Sequence, residues 1–188
     1  MAKAPARKTA KAAPKPAAKA ATKARPKAVA TANDALPAEG AKAPAFKLPA
    51  DDGSSVTLKS LAGKKVVLYF YPKDDTPGCT TEAIAFSALK KKFDAAGAVV
   101  LGVSKDTIEK HCKFRDKHGL TVRLLSDEDG NMLEAYGVWG EKSLYGRKFM
   151  GITRTTFLID GKGVVRRVWP KVKVSGHAED VLAAVKKL

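Results

Sequence analysis

Two cysteines occur among the 188 residues, and Cys79 lies where the chain changes character. Tyr71-Pro72-Lys73-Asp74-Asp75-Thr76-Pro77-Gly78-Cys79 leads from an apolar run, through a loop rich in Pro and Gly, into a helical pattern. A sulfur at a helix N-terminus faces unpaired backbone N–H groups and the positive end of the helix dipole, which both favour a thiolate. That is a place for a nucleophile. The competing reading is a small buried hydrophobe, the commoner fate of a lone cysteine. The neighbours favour the nucleophile: Pro72 and Pro77 stiffen the loop, Gly78 allows close backbone approach, and Thr76 sets a hydroxyl three residues before the sulfur.

Ionisation supplies only part of a fast reaction. Taking a thiol from a pKa of about 8.5 to about 6 raises the thiolate fraction at neutral pH roughly 30-fold, and the lower basicity takes part of that back. Against a peroxide, attack on one oxygen drives negative charge onto the other, so donors fixed along the O–O axis act as the bond breaks. Thr76 and the backbone N–H of Cys79 are the candidate donors. Arg154, opening an apolar run, is the best-placed cation by pattern, with a solvated strand-end charge as its alternative.

Positioning these groups falls to an α/β domain. Near-continuous apolar runs at residues 65–71 and 98–104 predict central strands covered on both faces, and 154–160 predicts a third. Phe86, Leu89 and Phe93 share one helical face within 80–96, which Gly97 ends. A second helix is expected from an N-cap at Asp106, with Glu109 three residues on, to Gly119. A strand at 122–125, a helix at 130–136, a hairpin joining 154–160 to 164–169 through Asp160-Gly161-Lys162-Gly163, and a helix at 178–188 complete the order β-α-β-α-β-α-β-β-α.

Pro72-Lys73-Asp74-Asp75-Thr76-Pro77-Gly78-Cys79-Thr80-Thr81-Glu82 closely resembles the peroxidatic loop of the peroxiredoxins, on their peroxiredoxin Q branch, also called bacterioferritin comigratory protein. The match continues through Leu124-Leu125-Ser126-Asp127, residues 136–142 and residues 151–160, so it covers about 45–188. The resemblance implies a thioredoxin-like fold, a central mixed sheet flanked by helices, with Cys79 as the peroxidatic cysteine. It further implies that Thr76 and Arg154 orient peroxide and thiolate, that Pro72 shields the site from water, and that Glu82 holds Arg154 through a charge-assisted pair. Hydrogen peroxide and organic hydroperoxides are the implied substrates, a thioredoxin-like protein or another small thiol the implied reductant, and a monomer the implied state.

One position departs from that pattern. Many members carry a resolving cysteine five residues after the first, where this chain has Ile84. Cys112 is the other thiol, near where some members place an alternative resolving cysteine. It lies about 200° around its helix from Phe114, hence toward the surface if Phe114 faces the core. Lys110, His111 and Lys113 beside it favour a reactive thiol, and Ile108 near the same face favours a semi-buried bystander. Both readings stand at this point.

The remaining signals are mostly exclusions. His111, His118 and His177 are scattered, and no metal-binding spacing, CxxC, GxGxxG or P-loop is present, so neither metal nor cofactor is implied. Asp74-Asp75 and Asp127-Glu128-Asp129 read as solvated turn carboxylates, and Trp139 and Trp169 as packing residues. The longest apolar run, Val66 to Tyr71, is far short of a membrane span, and no secretory signal is evident. The expected location is the cytoplasm, with a nucleoid or nuclear location as the alternative and an organelle less favoured.

Charge divides the chain. Residues 1–44 hold 10 − 2 = +8 and residues 45–188 hold 25 − 17 = +8 of the net +16. The first 44 residues, built of Ala, Lys and Pro without an aromatic, are expected to be a disordered tail, with the folded domain at 45–188. Nine basic side chains from Lys3 to Lys27 give an alternative function, in which residues 1–28 tether the domain to nucleic acid without reading sequence.

Overall fold

Val66, Val67, Leu68, Tyr69 and Phe70 are each at most 1% exposed, so consecutive side chains are covered whichever way they point. They belong to the middle strand of a five-stranded sheet in a computed structural model that describes residues 36–144 and 146–188. The elements are β1 (Lys47–Pro49), β2 (Ser55–Thr57), β3 (Lys65–Phe70), α1 (Pro77–Ala95), β4 (Ala98–Ser104), α2 (Ile108–His118), β5 (Arg123–Ser126), α3 (Asn131–Ala135), β6 (Trp139–Leu144), β7 (Arg147–Ile152), β8 (Thr155–Ile159), β9 (Val165–Trp169) and α4 (His177–Lys187). A 3-10 turn at Lys59–Leu61 precedes β3.

The sheet order is β5-β4-β3-β8-β9. β3 runs parallel to β4, with Tyr69 opposite Gly102, and antiparallel to β8, with Phe70 opposite Thr155. Alternate residues of β3 therefore feed two cores. Val67 and Tyr69 pack with Phe86 and Phe93 of α1, Phe114 of α2, and Val181 and Val185 of α4. Val66, Leu68 and Phe70 pack with Phe46, Leu48, Val56, Leu133 and Tyr136 on the other face. This is the thioredoxin-like mixed sheet flanked by helices. Gly102 is required by close approach, because a Cβ there would lie 2.6 Å from the Tyr69 ring.

Several expected boundaries move. α1 begins at Pro77, three residues before the expected start, which places Cys79 inside the first turn. α2 is capped by Thr107, whose hydroxyl accepts from the Lys110 N–H; Asp106 is instead buried and bonded elsewhere. The β1–β2 and β6–β7 pairs were not expected, because strands of three residues and a mostly exposed hairpin carry little apolar alternation.

The expected domain boundary after Pro44 also shifts. The Gly40 N–H donates to the Val165 carbonyl (2.7 Å), the Val165 N–H to the Ala41 carbonyl (2.9 Å) and the Ala43 N–H to the Gly163 carbonyl (2.9 Å). Residues 39–43 thus line β9, and composition misassigned them because backbone pairing needs no apolar side chain. The polycation of residues 1–28, and the nucleic-acid contact expected of it, lie outside the described residues. Among the described residues no helix is long and apolar enough to cross a membrane.

Candidate active site

The loop after β3 delivers Cys79 by local backbone constraints. Thr76 is extended (φ −95°, ψ 150°) and serves as N-cap residue; Pro77, with its fixed φ, is pre-set for the first helical position. The Thr80 N–H makes the bond to the Thr76 carbonyl (2.8 Å), leaving the Gly78 and Cys79 N–H groups ahead of the first intrahelical acceptor. Cys79 is 2% exposed.

Arg154 enters from the residue preceding β8. Its Nη2 donates to Cys79 Sγ at 3.1 Å, and its Nη1 donates to Glu82 Oε2, one turn beyond the sulfur. A single guanidinium therefore spans a sulfur and a carboxylate, the fork geometry that Lys cannot supply. Gly78 lies directly under this fork: a Cβ there would touch Arg154 Nη2 at 3.4 Å, an ordinary van der Waals contact. Glu82 is 1% exposed, and burial pushes its carboxyl up to about 7 even though Arg154 pulls the other way. Its Oε1, like the Tyr69 hydroxyl, is buried without a hydrogen-bond partner among the described residues. The Tyr69 phenol is pushed well up, first by burial and then by the charges of Glu82, Asp74 and Cys79.

Thr76 differs from its expected role. Its hydroxyl donates to the Lys73 carbonyl (3.1 Å), so its proton is committed and its lone pairs are what it can offer a reactant. Pro72 is exposed at the loop surface. Of the expected site residues, Arg154 contacts both Cys79 and Glu82, and Thr76, Gly78 and Pro72 belong to the same loop and turn. Cys112 is not brought to them: its Sγ donates to the Asp51 carbonyl (3.3 Å), and both cysteines are free thiols.

Sequence reasoning missed the placement of four polar side chains. Lys142 on β6 is half-buried and donates to the Ile152 carbonyl; burial and then Arg154 push its ammonium down, while Cys79 opposes them. It ended one of the matched segments, the only signal that pointed to it. His177, at the start of α4, pairs with Thr156 Oγ1 (2.8 Å) and is pushed down to about 4, mainly by burial. Asp74, expected to be a solvated turn carboxylate, is 7% exposed and contacts His111 Nδ1 at 2.7 Å; Asp127, 2% exposed, accepts from the Leu133 N–H. Trp139 and Trp169 are half-buried, with Lys105 over one ring and Arg167 over the other.

A thiol at a helix N-terminus, held by an arginine on a thioredoxin-like sheet, defines a thiol-dependent peroxidase scaffold, and comparison with known proteins agrees. The AhpC/TSA family pattern matches residues 40–168. A Coxiella burnetii protein, putative peroxiredoxin bcp, is 54% identical over 143 residues, spanning 76% of this chain and 95% of its own. Xanthomonas campestris peroxiredoxin Q superposes with a TM-score of 0.73 at 48% identity, over 76% of this chain and 90% of that one. A structure of the Xanthomonas campestris bacterioferritin comigratory protein, which addresses that protein's alkyl peroxide reduction activity, gives 0.72 at 47% identity over the same shares. The chain belongs to the AhpC/TSA family, on its peroxiredoxin Q branch, and is a thiol peroxidase.

Proposed function

We propose that Cys79 is the peroxidatic cysteine and that it reduces hydrogen peroxide and organic hydroperoxides through a sulfenic acid. The observation that carries this is the 3.1 Å contact from Arg154 Nη2 to Cys79 Sγ in the first turn of α1. A guanidinium can only donate, so that contact is strongest to the thiolate. The thiolate attacks one peroxide oxygen, the O–O bond breaks, and the departing alkoxide or hydroxide takes up a proton to leave Cys79 as S–OH. Arg154 and the Cys79 N–H face the oxygen where charge develops, and Thr76, its own proton given to Lys73, accepts from the peroxide O–H. Glu82 holds Arg154 in place, Gly78 lies against the guanidinium, and Pro72, exposed on the same loop, shields the site from water.

Cys112 is the proposed resolving thiol. It attacks the Cys79 sulfenic sulfur, forming the disulfide and releasing water, and a thioredoxin-like dithiol then reduces the disulfide. None of these steps calls for a metal or prosthetic group. The test is peroxide consumption with thioredoxin as donor, for the wild type, Cys79→Ser and Cys112→Ser. Loss of turnover in Cys79→Ser is required. A Cys112→Ser protein that still oxidises at Cys79 but stops recycling through thioredoxin supports resolution by Cys112; undiminished recycling refutes it.

A further inference from the structure

The two sulfurs are held by different segments, Cys79 by Arg154 just before β8 and Cys112 by Asp51 in the turn between β1 and β2. A disulfide needs Cα atoms within about 7 Å and Cβ vectors that converge, so both sulfurs must leave these partners. Asp74, five residues before Cys79, and His111, adjacent to Cys112, are joined across the two segments that would have to move. Asp74 Oδ2 contacts His111 Nδ1 at 2.7 Å, and Asp74 Oδ1 accepts from the Tyr71 hydroxyl at 2.7 Å. The Asp74 N–H donates to Asp106 Oδ2 (2.8 Å), which also accepts from the Ser104 hydroxyl (3.0 Å). His111 is fully buried, and its Nε2 faces the Leu125 carbonyl at 3.2 Å.

Proton accounting makes this contact a firm one. A carbonyl accepts only, so Nε2 carries hydrogen, and a proton must also lie between Nδ1 and the carboxylate, whichever of the two holds it. Separating the pair in place would strand a charged or polar group away from water. The adjacent contacts are of the opposite kind. Asp75 binds Lys117 (2.6 Å) and His118 (2.8 Å) at the surface, where exposed pairs contribute little.

We infer that Asp74 and His111 form a latch that must open before Cys79 and Cys112 can join, and that this positioning pair sets the rate of disulfide formation rather than of peroxide reduction. The inference rests on the reading of Cys112 as the resolving thiol. The latch delays the attack of Cys112 on the Cys79 sulfenic acid, and excess peroxide can use that delay to take Cys79 to the sulfinic acid.

The test treats reduced full-length protein with one equivalent of hydrogen peroxide, followed by rapid quench and intact mass, for Asp74→Asn, His111→Gln and the surface control Asp75→Asn. Loss of the Cys79 thiol should proceed within about twofold of wild type in all three. Disulfide formation should be about tenfold faster or more in the first two, the scale of one charged hydrogen bond, and less than about threefold faster in the control. The sulfinic fraction at excess peroxide should fall in parallel. Unchanged disulfide rates in variants that still melt cooperatively overturn the latch, as does a parallel slowing of thiol loss, which marks a general structural role. Should either variant not fold, Tyr71→Phe removes only the phenol bond and must still quicken the disulfide. If wild type forms no such disulfide, the reading of Cys112 fails, and hydrogen exchange decides the latch separately. Amides 73–80 and 107–113 must exchange faster together in Asp74→Asn, and unchanged exchange sinks it.

Discussion

Cys79 receives a hydrogen bond from a guanidinium at 3.1 Å, whereas Cys112 gives one to a backbone carbonyl at 3.3 Å. The donor serves a thiolate; the carbonyl can be reached only by a thiol with its hydrogen in place. Burial alone does not separate them in that sense, since the more enclosed cysteine is the one with the cation. On the proposed reading, the partner's hydrogen-bonding sense is what separates the nucleophile from the second thiol. The backbone sets that partner, through the residue before β8 in one case and the β1–β2 turn in the other.

The comparison breaks outright if the two cysteines prove interchangeable. Cys79→Ser should lower the single-turnover rate with hydrogen peroxide by about a thousandfold or more, while Cys112→Ser leaves that turnover within about twofold, as stopped-flow would record. Arg154→Lys keeps the charge but cannot serve sulfur and carboxylate together. It should slow the same step by about a hundredfold to a thousandfold, the cost of losing one preorganised donor.

Glu82 sharpens the contrast through pH. Its folded carboxyl titrates near 7 against 4.5 for the ordinary group, so the folded state binds more protons between those values. Its contribution is therefore fully present below about 4.5 and is lost as pH rises through 7, a change on the order of 3 kcal/mol. Denaturant titrations of Glu82→Gln at a series of pH values should lack that slope. The smallest effect belongs to the Cys112 side: Thr107→Ala removes the cap of α2 and should cost about 1 kcal/mol in thermal or denaturant unfolding, with Cys79 reactivity unaltered.

Local patterns carried much of this into the sequence. The apolar runs of β3 and β4, the Pro-Gly entry to α1 and the spacing of Phe86 and Phe93 are effects of neighbouring residues, and they sufficed to place Cys79 at a helix start. Arg154 was found as a strand-end cation, but its choice of sulfur and carboxylate depends on β3 lying beside β8, which no short window contains. Distance along the chain hid the rest. Asp74 reads as one more turn acid until His111, 37 residues on, closes over it, and Asp51 is 61 residues from the thiol it holds. The β6–β7 hairpin was invisible for another reason: Phe149 and Met150 are about half-exposed, so no buried face imposes alternation.

Residues 39–43 lie along β9, and Ala50 bridges to Leu125 on β5, so each flank of the five-stranded sheet carries a strip of its own chain. Open flanks are where foreign strands zip on and fibrils begin. A recombinant version trimmed at Ala45 would bare the Val165 amide and carbonyl to any passing edge, whereas one trimmed at Leu36 keeps the selvedge sewn.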